Sequence, residues 1–182
     1  RERDEIFSNM SSSAQLILQY MKTLVVGQDD TLKELALKLI NYRMYPFTNI
    51  SPLFVTGPTG CGKTYSIKSL CSLMQIPFSE VNSASITAEG YIGTNPSHVI
   101  SKAFDDFRSQ PICPDLKNKS YGKINTYGII YFDEFGKLLH KKNSVHDAGT
   151  EIQSSLLKMV EPGYFPNASI LFIFADAMSM SP

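Results

Sequence analysis

A glycine-rich loop between an apolar strand and a helix limits the folds open to this chain more than any other segment. The loop reads Gly57-Pro58-Thr59-Gly60-Cys61-Gly62-Lys63-Thr64 and matches the pattern G-x-x-x-x-G-K-[ST]. Phosphate oxygens need converging N–H donors, and glycines let the backbone turn its amides inward at a helix N-terminus. We therefore predict a phosphate-binding Walker A loop, in which Lys63 reaches the β- and γ-phosphates and Thr64 binds Mg²⁺. A chance glycine-rich turn is the alternative.

A second motif supplies two carboxylates at the end of a buried strand. Residues 128–132 are apolar and run directly into Asp133 and Glu134. At the edge of a sheet that also carries the phosphate loop, Asp133 is expected to hold Mg²⁺, mostly through water. Glu134 is expected to polarise the attacking water, and general-base catalysis of this kind is typically worth ~10²–10⁴ in rate. The alternative for Glu134 is a solvated acid that caps a helix. The two motifs together predict an ATPase with ATP and Mg²⁺ as cofactors.

The rest of the chain alternates between helical and extended patterns. Helices are predicted over residues 13–20, 31–42, 63–74, 96–107 and 148–160, and strands over residues 52–56, 78–82, 128–132 and 170–175. Continuously apolar strands separated by helices are typical of a parallel sheet covered on both faces. We therefore predict an α/β fold of three layers around a central parallel sheet.

Composition and charge exclude several classes of protein. The chain has 182 residues, and its 17 Lys and Arg balance its 17 Asp and Glu. A net charge near zero argues against binding of nucleic acid through the overall charge of the protein. The apolar runs fall far short of the roughly 18 residues of a membrane span, so no membrane partner is expected. Cys61, Cys71 and Cys113 lack metal-ligand spacing, which favours a reducing, cytoplasmic compartment. The N-terminus lacks the apolar segment of a signal peptide, and we expect the chain to be trimmed from a longer one.

Four segments together carry a resemblance to one family. They are residues 25–28 (Val-Val-Gly-Gln), residues 53–64, residues 129–137 with the pattern D-E-x-x-K, and residues 149–161, which end in L-L-K-h-h-E. They resemble the large ATPase subdomain of the ClpX/HslU branch of the AAA+ unfoldases, of the Clp/Hsp100 type. The resemblance implies a P-loop NTPase fold, with an N-terminal helical extension over residues 1–23 and an AAA+ nucleotide-binding large subdomain over residues 24–182. It also implies that Val26 and Tyr65 join the loop in binding nucleotide, and that Lys63 and Glu134 are the catalytic residues.

Residues 87–93, which read Thr-Ala-Glu-Gly-Tyr-Ile-Gly, are similar to the pore-loop segment of the same family. An aromatic and an aliphatic side chain between two glycines make an apolar paddle that can grip a polypeptide without reading its sequence. The resemblance therefore assigns Tyr91 and Ile92 to contact with a polypeptide substrate. The residues alone also allow two turns with Tyr91 packed locally. Residues 141–146 are a second candidate pore segment, for which a solvated loop is an equal alternative.

The chain departs from the family pattern after its last predicted strand. The family has a polar residue there that senses the γ-phosphate, and the position here is either the apolar Ala175 or Asp176. We expect the chain to stop before the arginine finger, the fifth strand and the helical lid, so that the isolated chain hydrolyses ATP weakly or not at all. In the family strand order 5-1-4-3-2, strand 53–56 would then be a sheet edge through which the chain self-associates.

We interpret the chain as the ATP-hydrolysing core of a ring-forming, hexameric AAA+ unfoldase that pulls polypeptide through a central pore. A non-translocating AAA+ nucleotide switch or scaffold is the alternative, and a remodeller of nucleic-acid complexes is a third possibility. The apolar paddle favours the polypeptide motor, because a nucleic-acid motor would carry Lys or Arg in that loop. No segment that would dock a peptidase is recognisable, so a peptidase or adaptor partner is not predicted.

Overall fold

The computed structural model of the chain describes residues 29–46, 51–57, 62–83, 86, 96–112, 126–136, 156, 158–161 and 163–177. Its helices are α1 (Asp29–Met44), α2 (Lys63–Met74) and α3 (Pro96–Arg108), and its strands are β1 (Leu53–Gly57), β2 (Phe78–Asn82), β3 (Thr126–Asp133) and β4 (Ala168–Ala177). Leu156 and residues 158–159 are helical, within the helix predicted over 148–160. The predicted extension over residues 1–23, with its helix at 13–20, lies outside the described residues.

The four strands form one parallel sheet in the order β1-β4-β3-β2. This is the order of the same four strands in the family that the sequence resembles. Within the described residues β1 lies at an edge and pairs with β4 alone, and the side chain of Phe54 is 64% exposed there. Self-association through this edge stays a prediction.

Each face of the sheet packs against helices. The first core, formed with α1 and α2, includes Leu39, Ile67, Leu70, Ile129, Tyr131 and Ile173. The second core, formed with α3, includes Ile100, Phe107, Ile130, Phe132, Leu156, Met159, Phe172 and Phe174. Consecutive residues of β3 alternate between the two cores because successive side chains of a strand point to opposite faces. The predicted three-layer α/β fold with a central parallel sheet is confirmed.

A buried tyrosine of α1 is hydrogen-bonded to the first residues of β3 and β4. The Tyr42 hydroxyl lies 2.6 Å from the carbonyl oxygen of Ser169 and 2.9 Å from that of Gly128, and it accepts the Gly128 N–H at 3.2 Å. Its ring stacks on Tyr127 with the centroids 4.8 Å apart. Burial raises the pKa of Tyr42 well above its usual value. The residue therefore joins α1 to both central strands.

Helix α3 is joined to the edge strand β2 by polar side chains. The Gln110 side chain accepts the N–H of Phe78 at 2.8 Å and donates to the carbonyl oxygen of Phe78 at 2.7 Å, as a neighbouring strand would. One residue further along β2, the Ser79 hydroxyl donates to Asp106 at 2.8 Å. These bonds fix the helix against the strand on the side of the second core.

In the described residues, no helix combines the length and apolar character that crossing a bilayer requires.

Candidate functional site

The two motifs singled out in the sequence meet at the carboxyl edge of the sheet. Strands β1, β4 and β3 are parallel neighbours and end there in Gly57, Ala177 and Asp133. Five residues separate the end of β1 from the start of α2. Ligands of open parallel sheets bind at this edge, because the loops that follow the strands converge on it. The fold thus brings the start of α2 and the carboxylates of Asp133 and Glu134, at the end of β3, to one side of the molecule.

Gly62 allows α2 to begin where it does. It is the N-cap residue and has φ 76° and ψ 19°, a left-handed conformation that a side chain disfavours. The N–H of Ser66 then donates to the Gly62 carbonyl oxygen at 2.9 Å, and the Ser66 hydroxyl donates to the same oxygen at 2.8 Å. Gly62 has no side chain with which to cap the helix. The N–H groups of its first turn and the helix dipole make this terminus suited to an anion.

Lys63 is the first residue of α2, and its ammonium is directed to the carboxyl edge. Its Nζ donates to the main-chain carbonyl oxygen of Asp176, 2.7 Å away at the end of β4. Asp176 pairs with Thr56 of β1, so the lysine lies beside the strand that leads into the predicted phosphate loop. A cation and a helix N-terminus, both of which attract anions, therefore lie at one edge of the sheet.

Thr64, the next residue, contacts β3 instead of β4. Its Oγ1 lies 3.1 Å from the hydroxyl oxygen of Tyr131, a fully buried residue of the first core. Asp133 follows Tyr131 by two residues, so the alternation of the strand puts Asp133 on the face that α2 covers. The predicted metal ligands Thr64 and Asp133 therefore belong to the same face of the sheet.

The donor set suits Mg²⁺. Hydroxyl and carboxylate oxygens are hard ligands, and Mg²⁺ keeps several waters and takes only one or two carboxylates from a protein beside substrate phosphates. Across the described parts of the chain, no group of three or more His, Cys, Asp or Glu side chains is gathered to hold a metal. Thr64 with Asp133 fits an ion shared with phosphates better than an ion caged by protein alone.

Glu134 lies in a turn that is hydrogen-bonded to the end of β3 and to β4. Its N–H donates to Oδ1 of Asp133 at 2.9 Å, and the N–H of Phe135 donates to the carbonyl oxygen of Ala175 at 2.9 Å. The φ of Glu134 is 54°, a left-handed conformation that costs a residue with a side chain about 1–2 kcal/mol. Strain of this kind collects at functional sites, where surrounding contacts impose it. The half-buried Glu134 is thereby fixed beside Asp133.

The two residues considered for a γ-phosphate sensor differ in environment. Ala175 is fully buried in the first core. Asp176 is half-buried, and its carboxylate lies against Gly136, where an added β-carbon would be 2.6 Å from Oδ1. Of Ala175 and Asp176, Asp176 is therefore the one that has a polar side chain at the carboxyl edge of the sheet.

Several predicted site residues lie outside the described residues. They are Val26, Pro58, Thr59, Gly60, Cys61, Tyr91 and Ile92, together with the second candidate pore segment at 141–146. Tyr65 is described, and its side chain is 54% exposed on α2. Cys71 is buried, and burial raises the pKa of its thiol, which makes it a poor nucleophile.

Two residues at this edge were not predicted from the sequence. In the sequence, Tyr131 is one residue of an apolar run in a buried strand, and nothing marks its hydroxyl as part of the site. Its spacing of two residues from Asp133 does put both residues on one face of the strand. Gly136 lies within the D-E-x-x-K pattern, and no local signal indicates that its missing side chain makes room for Asp176.

Comparisons with known proteins agree with this geometry. Residues 53–178 match the family model described as ATPase family associated with various cellular activities (AAA). The ATP-dependent Clp protease ATP-binding subunit ClpX of Treponema denticola is 28% identical over 160 residues, which cover 81% of this chain and 36% of that protein. The proteins of the same name from Borrelia duttonii and Borrelia recurrentis are 29% identical over 153 residues, which cover 75% of this chain and 33% of theirs. The chain thus spans about a third of the length of these curated relatives.

Proposed function

Because this chain belongs to the AAA family of ATPases, we propose that it binds ATP with Mg²⁺ at the carboxyl edge of its sheet and hydrolyses it. One observation carries the proposal. Helix α2 begins with Lys63 and Thr64, and their side chains contact β4 and β3 at the edge where β3 ends in Asp133. A phosphate-binding helix terminus, a lysine, a hydroxyl and two carboxylates are the groups that phosphoryl transfer from ATP requires.

The start of α2 binds the phosphates in this proposal. The N–H groups of its first turn and the Lys63 ammonium are both attracted to anionic oxygens. To reach them Lys63 exchanges its bond to the Asp176 carbonyl for bonds to phosphate. The other nucleotide-binding residues are Val26, Gly57, Pro58, Thr59, Gly60, Cys61, Gly62, Thr64 and Tyr65.

In this proposal, Mg²⁺ and the attacking water are bound at the end of β3 and in the turn that follows it. Thr64 and Asp133 hold Mg²⁺, which when bound neutralises phosphate charge and orients the phosphates. Glu134 takes a proton from the attacking water as general base. Its strained, doubly bonded turn supports this role, because a general base must be held within hydrogen-bond reach of its proton.

The full-length protein, in our proposal, is a ring-forming unfoldase, hexameric and cytoplasmic, that pulls polypeptide through a central pore. The support is the similarity to the ClpX subunits over most of this chain. Tyr91 and Ile92 contact the polypeptide. Nucleic acid, membrane and a peptidase form no part of the proposal.

The test of the motor is Tyr91→Ala in the full-length protein. Unfolding of a stable substrate protein should be lost while ATP hydrolysis continues, because the paddle grips polypeptide without touching nucleotide. Tyr164→Ala is the matched control, since Tyr164 is 49% exposed just before β4 and belongs neither to the proposed nucleotide site nor to the proposed pore loop. Equal loss of unfolding and hydrolysis in Tyr91→Ala would contradict the pore role and indicate a structural one.

A nucleotide switch or scaffold is the second candidate, and one observation favours it. At the end of β4, Ala175 is buried and Asp176 presents a carboxylate, so neither offers a neutral polar group to the γ-phosphate. A carboxylate repels phosphate unless a cation lies between them. A switch of this kind would bind ATP and change its assembly without turning ATP over.

A further inference from the structure

The hydroxyl of Tyr131 extends from the first core to the start of α2. Tyr131 is fully buried, and its ring packs against Phe78 with the centroids 5.8 Å apart. Its hydroxyl oxygen nevertheless lies 3.1 Å from Oγ1 of the half-buried Thr64. A phenylalanine would fill the same volume in the core without this bond. The hydroxyl therefore adds a polar contact with Thr64 that packing of the ring does not require.

The strand gives Tyr131 a fixed relation to the second proposed metal ligand. Tyr131 and Asp133 are two residues apart in β3, and alternation puts them on the same face. Both neighbours of β3 pair with this region: Phe132 with Phe174 of β4, and Asp133 with Asn82 of β2. A side chain bonded to Tyr131 is thus held at a constant position relative to Asp133.

Thr64 needs such a partner if it is to bind a cation. A threonine in a helix divides between two χ1 rotamers, so its hydroxyl has no single direction by itself. A hydroxyl offers one proton and two lone pairs, and a cation takes a lone pair. Donation of the proton to a fixed oxygen selects one rotamer and leaves the lone pairs for the metal.

We propose that Tyr131 is a positioning residue for Mg²⁺ binding: its hydroxyl accepts the proton of Thr64 and directs the lone pairs of Thr64 Oγ1 towards the cation. The inference rests on the proposed function, in which Thr64 is a ligand of nucleotide-bound Mg²⁺. Tyr131 itself does not touch the metal, and it acts through Thr64 as outer partners orient the ligands of other metal sites.

The test is the binding of a fluorescent ATP analogue to the full-length protein, titrated with MgCl₂ and repeated in EDTA. Tyr131→Phe should raise the MgCl₂ concentration for half-maximal binding by about 10- to 100-fold, the usual effect of losing such a partner. Binding in EDTA should stay within about twofold of the wild type, because the phosphate contacts of α2 do not involve Tyr131. Tyr127→Phe is the matched control, since Tyr127 is a buried tyrosine four residues earlier on the same face, stacked on Tyr42. It should change neither titration.

A double-mutant cycle with Thr64→Ala separates positioning from packing. If Tyr131 acts through Thr64, Tyr131→Phe has no further effect on the MgCl₂ titration once Thr64 has lost its hydroxyl. An additive effect, or an equal loss of binding with Mg²⁺ and in EDTA, would overturn the inference in favour of a structural role. Mg²⁺-dependent binding that Tyr131→Phe leaves unchanged would overturn this inference alone. Wild-type protein that binds no nucleotide would overturn the proposed function and this inference with it.

Discussion

The carboxylate of Asp176 occupies the space that a side chain on Gly136 would take. A β-carbon added to Gly136 would lie 2.6 Å from Cγ of Asp176, a separation at which one of the two groups must move. Gly136 follows the turn of Glu134, and Asp176 is next to the last residue of β4. The segment after β3, which contains Glu134 and Gly136, is thus in direct contact with the end of β4 at Asp176.

Gly136→Ala is therefore expected to destabilise the protein by about 1 kcal/mol, the low end of the range for overpacking, because the crowding atoms are the end of the half-buried Asp176 side chain and can move. Urea denaturation measures the change in the free energy of unfolding. Asp176→Ala removes the crowded atoms, so the double variant should recover most of the loss. The same loss with and without Asp176→Ala would show that the contact is not its cause.

Glu134 and Gln75 are the matched pair for a test of backbone strain. Both are non-glycine residues in the left-handed region, with φ 54° and 55°, and Gln75 is the C-cap of α2. At each position the glycine variant should be more stable to urea than the alanine variant by about 1 kcal/mol, because glycine has no β-carbon to crowd the backbone. A difference at Gln75 without one at Glu134 would contradict the strained turn after β3.

The buried Tyr42 predicts that stability falls at alkaline pH. Burial raises the pKa of Tyr42 above its usual value of 10.0, so the folded chain keeps a proton that the unfolded chain releases. Stability from this group is complete below about pH 10 and falls as the pH rises further, by up to about 1.4 kcal/mol per unit.

Melting temperatures between pH 8 and 11 measure this effect against Tyr42→Phe. The phenylalanine variant should be less stable at pH 8, since it loses the hydrogen bonds to β3 and β4, and should lose less stability above pH 10. Some alkaline loss should remain, because burial also raises the pKa of the Cys71 thiol. Identical slopes in the two proteins would contradict a buried, protonated Tyr42.

Local signals predicted those parts of the fold that depend on neighbours in the sequence. The predicted bounds of α2 and β2 are those observed, and the glycine-rich loop marks the start of α2. Strands β3 and β4 are longer than their apolar runs over 128–132 and 170–175. Their ends pair in the middle of the sheet, where neighbouring strands satisfy backbone groups whatever the side chains are.

The contacts that organise the candidate site depend on residues far apart in the chain. Lys63 and Asp176 are 113 positions apart, and Thr64 and Tyr131 are 67 apart. The loop pattern predicted that Lys63 and Thr64 belong to a phosphate site, but it carries no information on which strand each contacts. The left-handed turn at Glu134 likewise arises from bonds to Asp133 and β4, and glutamate itself does not favour it.

ATP turnover by the full-length protein, measured beside Glu134→Gln, tests whether the chain hydrolyses ATP with Glu134 as the general base. We predict Mg²⁺-dependent turnover in the wild type and a loss of about 10²- to 10⁴-fold in the variant, with ATP binding retained, because glutamine keeps the shape of the side chain but cannot take a proton. ATP binding without turnover in the wild type, or equal turnover in the two proteins, would contradict this prediction.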